Sequence, residues 1–412
     1  MKVMLINNNH FITGGADSVY LNTGKLLEKY GNTVIYYSRN DKKNIASEYN
    51  IFFPEKIDYR NLSFIKKVKN IKSFIYNKEA KENLLNLIDL YKPDVAHIHN
   101  YLGGLSNSIL EALREKNVAI VLTIHDYRLI CPAYNFIDKN NDICEKCKDG
   151  RFIRCAIKKC SSEKKITYSL MLSLDAYYRK YFQNIMKYIN HYIFVSKFSY
   201  KKHVEFNNSY SQNSTQLYNF YPEEIQKNNI KGKYYLYFGR LSREKGIITL
   251  LNVFKDLNLE LIIAGYGPLE NIVKEYSDKS RKIKYIGGKN YTELKELIKN
   301  CYFVIIPSEW YENNPMAIIE TFSLGKPVIG SNIGGIPELL KDGGGFLFEP
   351  KNKKSLIGIL EKINKLTEEE YFQICKKAYN FAKVNFSEKQ HYLRLIEIYN
   401  KANNDQNILK LR

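Results

Sequence analysis

A short apolar run, a polar or glycine-bearing loop and an amphipathic helix recur along this 412-residue chain, and that rhythm constrains the fold more than any other feature. Apolar runs at residues 2–6, 33–37, 118–124 and 192–196 are answered by runs at 234–238, 259–264, 283–286 and 301–306. They are short and do not alternate with polar residues, the pattern of strands buried on both faces of a parallel sheet. Residues 93–99 read as a turn leading into a further strand, and helices are expected at 64–76, 80–91, 166–188 and 353–384. A chain of this length exceeds what one ordinary core can organise, so two α/β domains are expected.

The stretch 305–345 is the densest in chemistry. Ile305-Ile306-Pro307-Ser308-Glu309-Trp310-Tyr311-Glu312-Asn313-Asn314-Pro315 leads from a strand into a helix over 316–324, and Pro327-Val328-Ile329 enters the next strand. Asn314 suits an N-cap and Pro315 the first helical position, where its missing N–H costs nothing. The loop would then deliver Glu312 to a helix N-terminus, whose free donors and dipole favour an anion. Glu320 lies inside the helix among Ile318, Ile319 and Phe322, where a carboxylate is costly to bury without partners. The two acids are expected to face one crevice beyond the sheet edge; the plain alternative is a solvated loop acid and a helix-surface acid.

Upstream, Gly239-Arg240-Leu241-Ser242-Arg243-Glu244-Lys245-Gly246 forms a strand-to-helix turn bracketed by Arg240 and Lys245. A forked donor and a point charge with backbone amides between them suit a diphosphate. Gly265-Tyr266-Gly267-Pro268 is a bare loop at another strand end, suited to a nucleotide base or ribose. In the first half, Gly14-Gly15 sits between a strand and a helix, where backbone N–H groups can approach a ligand. His125 follows the run 118–124, and residues just past the carboxyl end of a parallel strand face the ligand crevice. There it can donate to a hydroxyl or take part in proton transfer. His97 and His99 carry the same ambiguity, and Asp126 is expected to fix the loop.

Glu312, seven intervening residues, Glu320, then Gly325-Lys326-Pro327-Val328-Ile329 and Gly334-Gly335-Ile336-Pro337-Glu338 resemble the signature of family 4 glycosyltransferases. Leu122-Thr123-Ile124-His125-Asp126-Tyr127 and the turn at Arg240 and Lys245 resemble the same family, so the likeness covers nearly the whole chain. It implies the GT-B fold: two facing Rossmann-like domains with a cleft between them. It also implies transfer of a sugar, with retention, from a nucleotide diphosphosugar (a UDP- or GDP-sugar) to a glycan or lipid-linked acceptor. By that resemblance Arg240 and Lys245 take the departing diphosphate, Glu320 the ribose, and Glu312 and His125 the sugar. Gly14, Gly15, Gly265, Gly267, Asn314 and Pro315 would line the donor. No Asp-x-Asp occurs, so no catalytic metal is expected. The expected domains are residues 1–218, a linker at 219–231, a donor domain at 232–388, and a helix at 389–412 crossing back to the first domain.

The formal charge is +20, with 33 Lys+Arg against 20 Asp+Glu over residues 1–218. Such a balance favours phosphorylated ligands, an anionic membrane face or nucleic acid, or else serves solubility alone. No nucleic-acid-binding motif appears, and none is expected as a partner. A nucleotide-sugar epimerase or phosphorylase, a basic nucleic-acid-binding protein and a membrane-associated scaffold are the alternatives. The aromatic stripe in 166–188 suits core packing or contact with an anionic membrane. Cys144, Cys147, Cys155 and Cys160, within an insertion at 131–160, suit either a structural zinc site or reduced free thiols. Such an insertion is found in a subset of the resembled family. With no signal peptide or transmembrane run, the expected location is the cytoplasm, at the inner membrane face in the membrane reading.

Overall fold

The computed structural model describes residues 1–59 and 64–410. Residues 60–63 of the polar stretch 40–90, and 411–412 at the end of the expected last helix, lie outside it. The chain forms two compact units, Met1–Leu217 joined by the segment from Tyr392 onward, and Tyr218–His391.

The first unit holds a parallel sheet of β1 (Lys2–Ile6), β2 (Thr33–Tyr37), β3 (Val95–Ile98), β4 (Ala119–Ile124), β5 (His191–Phe194) and β6 (Ser214–Gln216), ordered β2-β1-β3-β4-β5-β6. The register sets Ile6 opposite Ile98, Ile98 opposite Leu122 and Ile124 opposite Phe194, so these strands end along one edge. The strand order turns back between β1 and β3, the place where loops diverge and leave room for a ligand. The core joins Val3, Leu5, Val121 and Ile193 to Leu395, Ile398, Tyr399 and Ala402 of the last helix, Glu388–Lys410.

The second unit repeats the plan with β7 (Tyr235–Phe238), β8 (Leu261–Ala264), β9 (Ile283–Tyr285), β10 (Phe303–Ile306), β11 (Val328–Ser331) and β12 (Gly345–Phe348), ordered β12-β11-β10-β7-β8-β9 and parallel throughout. Helices Ile247–Phe254 and Lys353–Ile363 cover one face around Leu250, Phe254, Phe303 and Leu360. Helices Met316–Ser323 and Glu368–Asn385 cover the other around Ile319, Phe322, Ala378 and Ala382. The order turns back between β7 and β10, the two strands whose following loops carry Arg240–Lys245 and Glu312.

Several elements depart from the sequence reading. The supposed linker 219–231 is built into the second unit: the Asn219 N–H donates to Asn314 Oδ1 at 2.9 Å, Tyr221 N to Phe386 O at 3.0 Å and Gln226 N to Ser323 O at 2.8 Å. The helix expected over 166–188 ends at Tyr181, because Asn184 accepts from Met186 N and starts a separate 3-10 turn, Ile185–Lys187. The helices expected over 353–384 are present as Lys353–Ile363 and Glu368–Asn385, the second opened by a capping box between Thr367 and Glu370.

Candidate active site

In the second unit, the turn after β7 and the loop after β10 are joined by side chains that lie 67 positions apart in sequence. Lys245 Nζ donates to Glu312 Oε1 at 2.7 Å, and Ser308 Oγ to the same oxygen at 2.6 Å. The Lys245 ammonium also lies 5.0 Å from the Trp310 ring centroid. Glu312 is only 5 % exposed. Burial alone would push its carboxyl up, but the Lys245 charge and the bonds from Lys245 and Ser308 hold it below the usual carboxylate value. It is therefore ionised at neutral pH. One backbone and one side-chain bond complete the seam: Glu309 N donates to Glu244 O at 2.8 Å, and Thr249 Oγ1 to Glu309 Oε1 at 2.5 Å.

Two glycines make that seam possible. Gly246 has φ +73° and packs so closely on the Pro307 carbonyl that a Cβ would collide with it. Gly334 has φ +63° and lies on the Glu312 backbone, while Gly335 N donates to Glu312 O at 2.7 Å. The Gly334-Gly335 pair is thus the floor of the Glu312 loop.

The Arg240 side chain, on the same turn as Lys245, is exposed, and no hydrogen bond or ion pair uses its guanidinium among the described residues. The next loop packs on the same turn, Leu241 N donating to Tyr266 O at 2.9 Å and Leu269 N to Leu241 O at 3.0 Å. A Cβ on Gly265 would meet the Gly239 carbonyl, and one on Gly267 the Leu241 backbone, so this surface is kept bare. Tyr266, 65 % exposed, lies over Gly288.

Asn314 and Pro315 differ from expectation. The helix is Met316–Ser323 with Pro315 as its N-cap residue, one position later than read. Asn314 instead spends its Oδ1 on the Asn219 N–H, leaving a buried Nδ2 without a partner among the described residues. Proline at the cap position cannot serve as a side-chain acceptor, so the helix N-terminus stays open. An orphaned amide donor, an open helix end, a bare glycine loop and an unpaired guanidinium form a set fit for a phosphorylated ligand. Glu320, half-buried one helical turn or more inside, is pushed up to about 7 by burial. It belongs with Tyr221 and Tyr291, whose phenols feel its charge.

In the first unit, Gly14 is extended and the helix starts at Gly15, both exposed. Buried Asp17 pins the loop before them: it accepts from Thr13 N at 3.0 Å, Thr13 Oγ1 at 2.5 Å and Asn7 Nδ2 at 2.9 Å. Sequence reasoning passed over Asp17; its place in the first helical turn was the available signal. A carboxylate already at this helix end makes a neutral hydroxyl a better fit than phosphate there.

His125 stands directly after β4, its Nε2 2.8 Å from His99 Nδ1 and the two rings stacked at 5.0 Å. His97 anchors the row, 2.7 Å from both Tyr399 OH and Thr123 Oγ1. Burial lowers His125 to about 3, so the ring is neutral at physiological pH and suits hydrogen bonding rather than proton donation as an imidazolium. Asp126 accepts from Arg128 N at 2.9 Å, fixing the loop.

For Cys144, Cys147, Cys155 and Cys160 the sequence leaves structural zinc and reduced thiols open; among the described residues no group of three His, Cys, Asp or Glu side chains that could hold a metal ion is found. The thiols lie near one another and interact as thiols, Cys144 with Cys160 and Cys160 with Cys155. Burial raises Cys147 to about 11, which favours the protonated form.

The pattern described as Glycosyltransferase Family 4 matches residues 13–221, and that described as Glycosyl transferases group 1 matches residues 220–400. The chain is 30 % identical over 152 residues to an uncharacterized glycosyltransferase of Methanocaldococcus jannaschii, covering 36 % of this chain and 43 % of the relative. It is 32 % identical over 160 residues to the lipopolysaccharide 1,2-N-acetylglucosaminetransferase of Salmonella typhimurium, covering 35 % and 42 %. The chain thus spans under half the length of these relatives. The Anabaena protein HepE in complex with UDP and glucose shares the fold with a TM-score of 0.62 at 15 % identity, over 96 % of this chain and 98 % of that one.

The Glu320 carboxyl, at about 7 in the folded protein, lies above the unfolded carboxylate value, so between those two pH values the native protein binds more protons and loses stability as pH rises. Glu320→Gln is expected to stabilise the protein by about 1–2 kcal/mol at pH 8 and to change little near pH 4.5. Urea unfolding at both pH values checks this; the same difference at both would contradict a buried, elevated carboxyl.

Proposed function

Because the chain belongs to glycosyltransferase family 4 and is a glycosyltransferase of the GT-B fold, we propose that its donor is a nucleotide diphosphosugar held by the second unit. The observation that carries this reading is the Lys245–Glu312 pair beside an unpaired Arg240 and an open helix end. As the glycosidic bond to the donor breaks, charge develops on the leaving diphosphate. Arg240, the remaining donors of Lys245 and the backbone amides at the helix N-terminus stabilise it. Glu312, ionised and fixed, accepts from sugar hydroxyls and holds Lys245 at its post. Glu320 accepts from the ribose, and Gly265 and Gly267 admit the nucleotide without side-chain obstruction. In the first unit the neutral His125 hydrogen-bonds sugar hydroxyls, and Gly14-Gly15 offers backbone donors. Retention is proposed from the family resemblance. The family match favours this over the epimerase and nucleic-acid alternatives.

The acceptor is proposed to be a glycan or lipid-linked glycan reached at an anionic membrane face. Helix Ile166–Tyr181 buries Tyr168, Met171, Leu172 and Ala176 but exposes Ile166, Leu170, Leu174 and Tyr181, at four- and seven-residue steps. Lys159, Lys164, Lys165 and Lys180, close in sequence to that stripe, are also exposed. An apolar stripe with a cationic rim suits the interface of an anionic bilayer. No helix among the described residues is long and apolar enough to cross a membrane.

Arg240→Ala and Lys245→Ala are each expected to lower kcat/KM for the nucleotide sugar about 10²- to 10³-fold. Screening UDP- and GDP-sugars with a polyprenyl-linked acceptor measures this; full activity in both variants would overturn the site. Separately, wild-type protein is expected to sediment with anionic vesicles at low salt, and Leu170→Glu/Leu174→Glu to stay in solution. Equal sedimentation of the two would reject that face.

A further inference from the structure

The first unit contains a cavity of about 360 Å³ lined by Leu129 and Ile130, by Cys147–Gly150 of the cysteine-bearing segment, and by Arg179 and Lys180. Its deepest cation is Arg179, only 6 % exposed. Arg179 Nε bonds Asp175 Oδ2 at 3.1 Å one helical turn back. Among the described residues no other hydrogen bond or ion pair uses this guanidinium, so both Nη nitrogens keep their donors. Its charge is still felt by the Tyr101 and Tyr210 phenols and by Asp126.

The remaining charges of the cavity are also one-sided. Lys180 has no carboxylate partner among the described residues; its ammonium rests on the backbone of Gly150, where a Cβ would strike it, and over the Phe152 and Tyr181 rings at 5.9 and 5.2 Å. Lys148 is paired with Glu205 at 2.6 Å. The one acid in the lining, Asp149, is already neutralised: it accepts from Arg151 Nε at 2.6 Å and Arg154 Nη1 at 3.0 Å. Ser209 adds a hydroxyl, and Ile130, Ile185, Met186 and Phe206 make the rest of the wall apolar.

A buried guanidinium fork with open donors and an unpaired ammonium match the geometry of a phosphate oxygen set. An isolated ion would leave most of this cavity empty, and the apolar wall suits a substituent on that phosphate. We propose that this cavity is a second anion site, taking a phosphate or diphosphate ester with an apolar substituent through Arg179 and Lys180. Assigning that ester to the acceptor rests on the transferase reading above; the anion site itself does not.

Cys147 lines the cavity and is partly exposed, which gives a local probe. Its alkylation by iodoacetamide in the full-length protein, followed by peptide mass spectrometry, is expected to slow about fivefold once the anion is at several times its Kd. Inorganic pyrophosphate and geranyl diphosphate are the two probes. Arg179→Lys keeps a cation against Asp175 but loses the fork, and should abolish protection. Lys180→Gln, at an exposed position, should raise the concentration needed about tenfold. Protection by geranyl diphosphate at lower concentration than pyrophosphate supports the site with a lipid-borne ester; protection at equal concentrations supports it with a soluble one. No slowing by either probe at about 10 mM, or the same slowing in wild type and both variants, overturns it. Protection without any sugar transfer would leave the anion site standing and remove the acceptor assignment.

Discussion

A buried ion pair between residues far apart in sequence organises the donor half of this molecule. Lys245 and Glu312 come from loops after β7 and β10, neighbouring strands where the sheet order turns back. Removing one partner would leave a charge stranded in a site only 5 % exposed, a cost of about 3–5 kcal/mol in comparable cases. The seam around the pair follows from that demand. Ser308 completes the carboxylate's shell, Trp310 shields the ammonium, and Gly246 and Gly334 let the backbones come close enough for the side chains to meet. The result is a fixed cation with spare donors next to an open helix end.

The first unit spends its buried polar groups differently. Asp17 ties down the glycine loop, and the His97–His99–His125 row runs from the last helix to the end of β4. Burial keeps His125 uncharged, so this half offers neutral hydrogen bonds where the second offers cations. The difference suits a division between hydroxyl-rich and phosphate-rich ligands. The cysteine-bearing segment and the helix Ile166–Tyr181 after it form a third environment, basic and partly apolar, around the Asp175–Arg179 pair.

What could be read in the sequence was what short-range pattern encodes. The apolar runs that become β1, β4, β7, β8 and β10 are continuous, and the residues past their ends, His125, Arg240 and Glu312, stand out by position together with their likeness to the family's motifs. Pairings across tens of residues leave no such mark: Lys245 with Glu312, His99 with His125, and Asn314 with Asn219. The last of these displaced the predicted cap, because an N–H from a neighbouring segment won the Asn314 oxygen from the helix start. The same contact turned an Asn- and Lys-rich stretch, read as a linker, into ordered structure. Four cysteines at metal-like spacing suit zinc or reduced thiols alike, since spacing fixes neither side-chain direction nor protonation; in the structure Cys160 interacts with Cys144 and Cys155.

The central claim is that Glu312 positions Lys245 for the donor diphosphate, and a double-mutant cycle on UDP binding tests it most directly. Calorimetry on wild type, Lys245→Ala, Glu312→Gln and the double variant gives the four affinities. The account predicts that each single change weakens UDP about tenfold or more and that the double variant is no weaker than Lys245→Ala, a strongly coupled pair. Losses that simply add, or UDP affinity unchanged by Lys245→Ala, would contradict it.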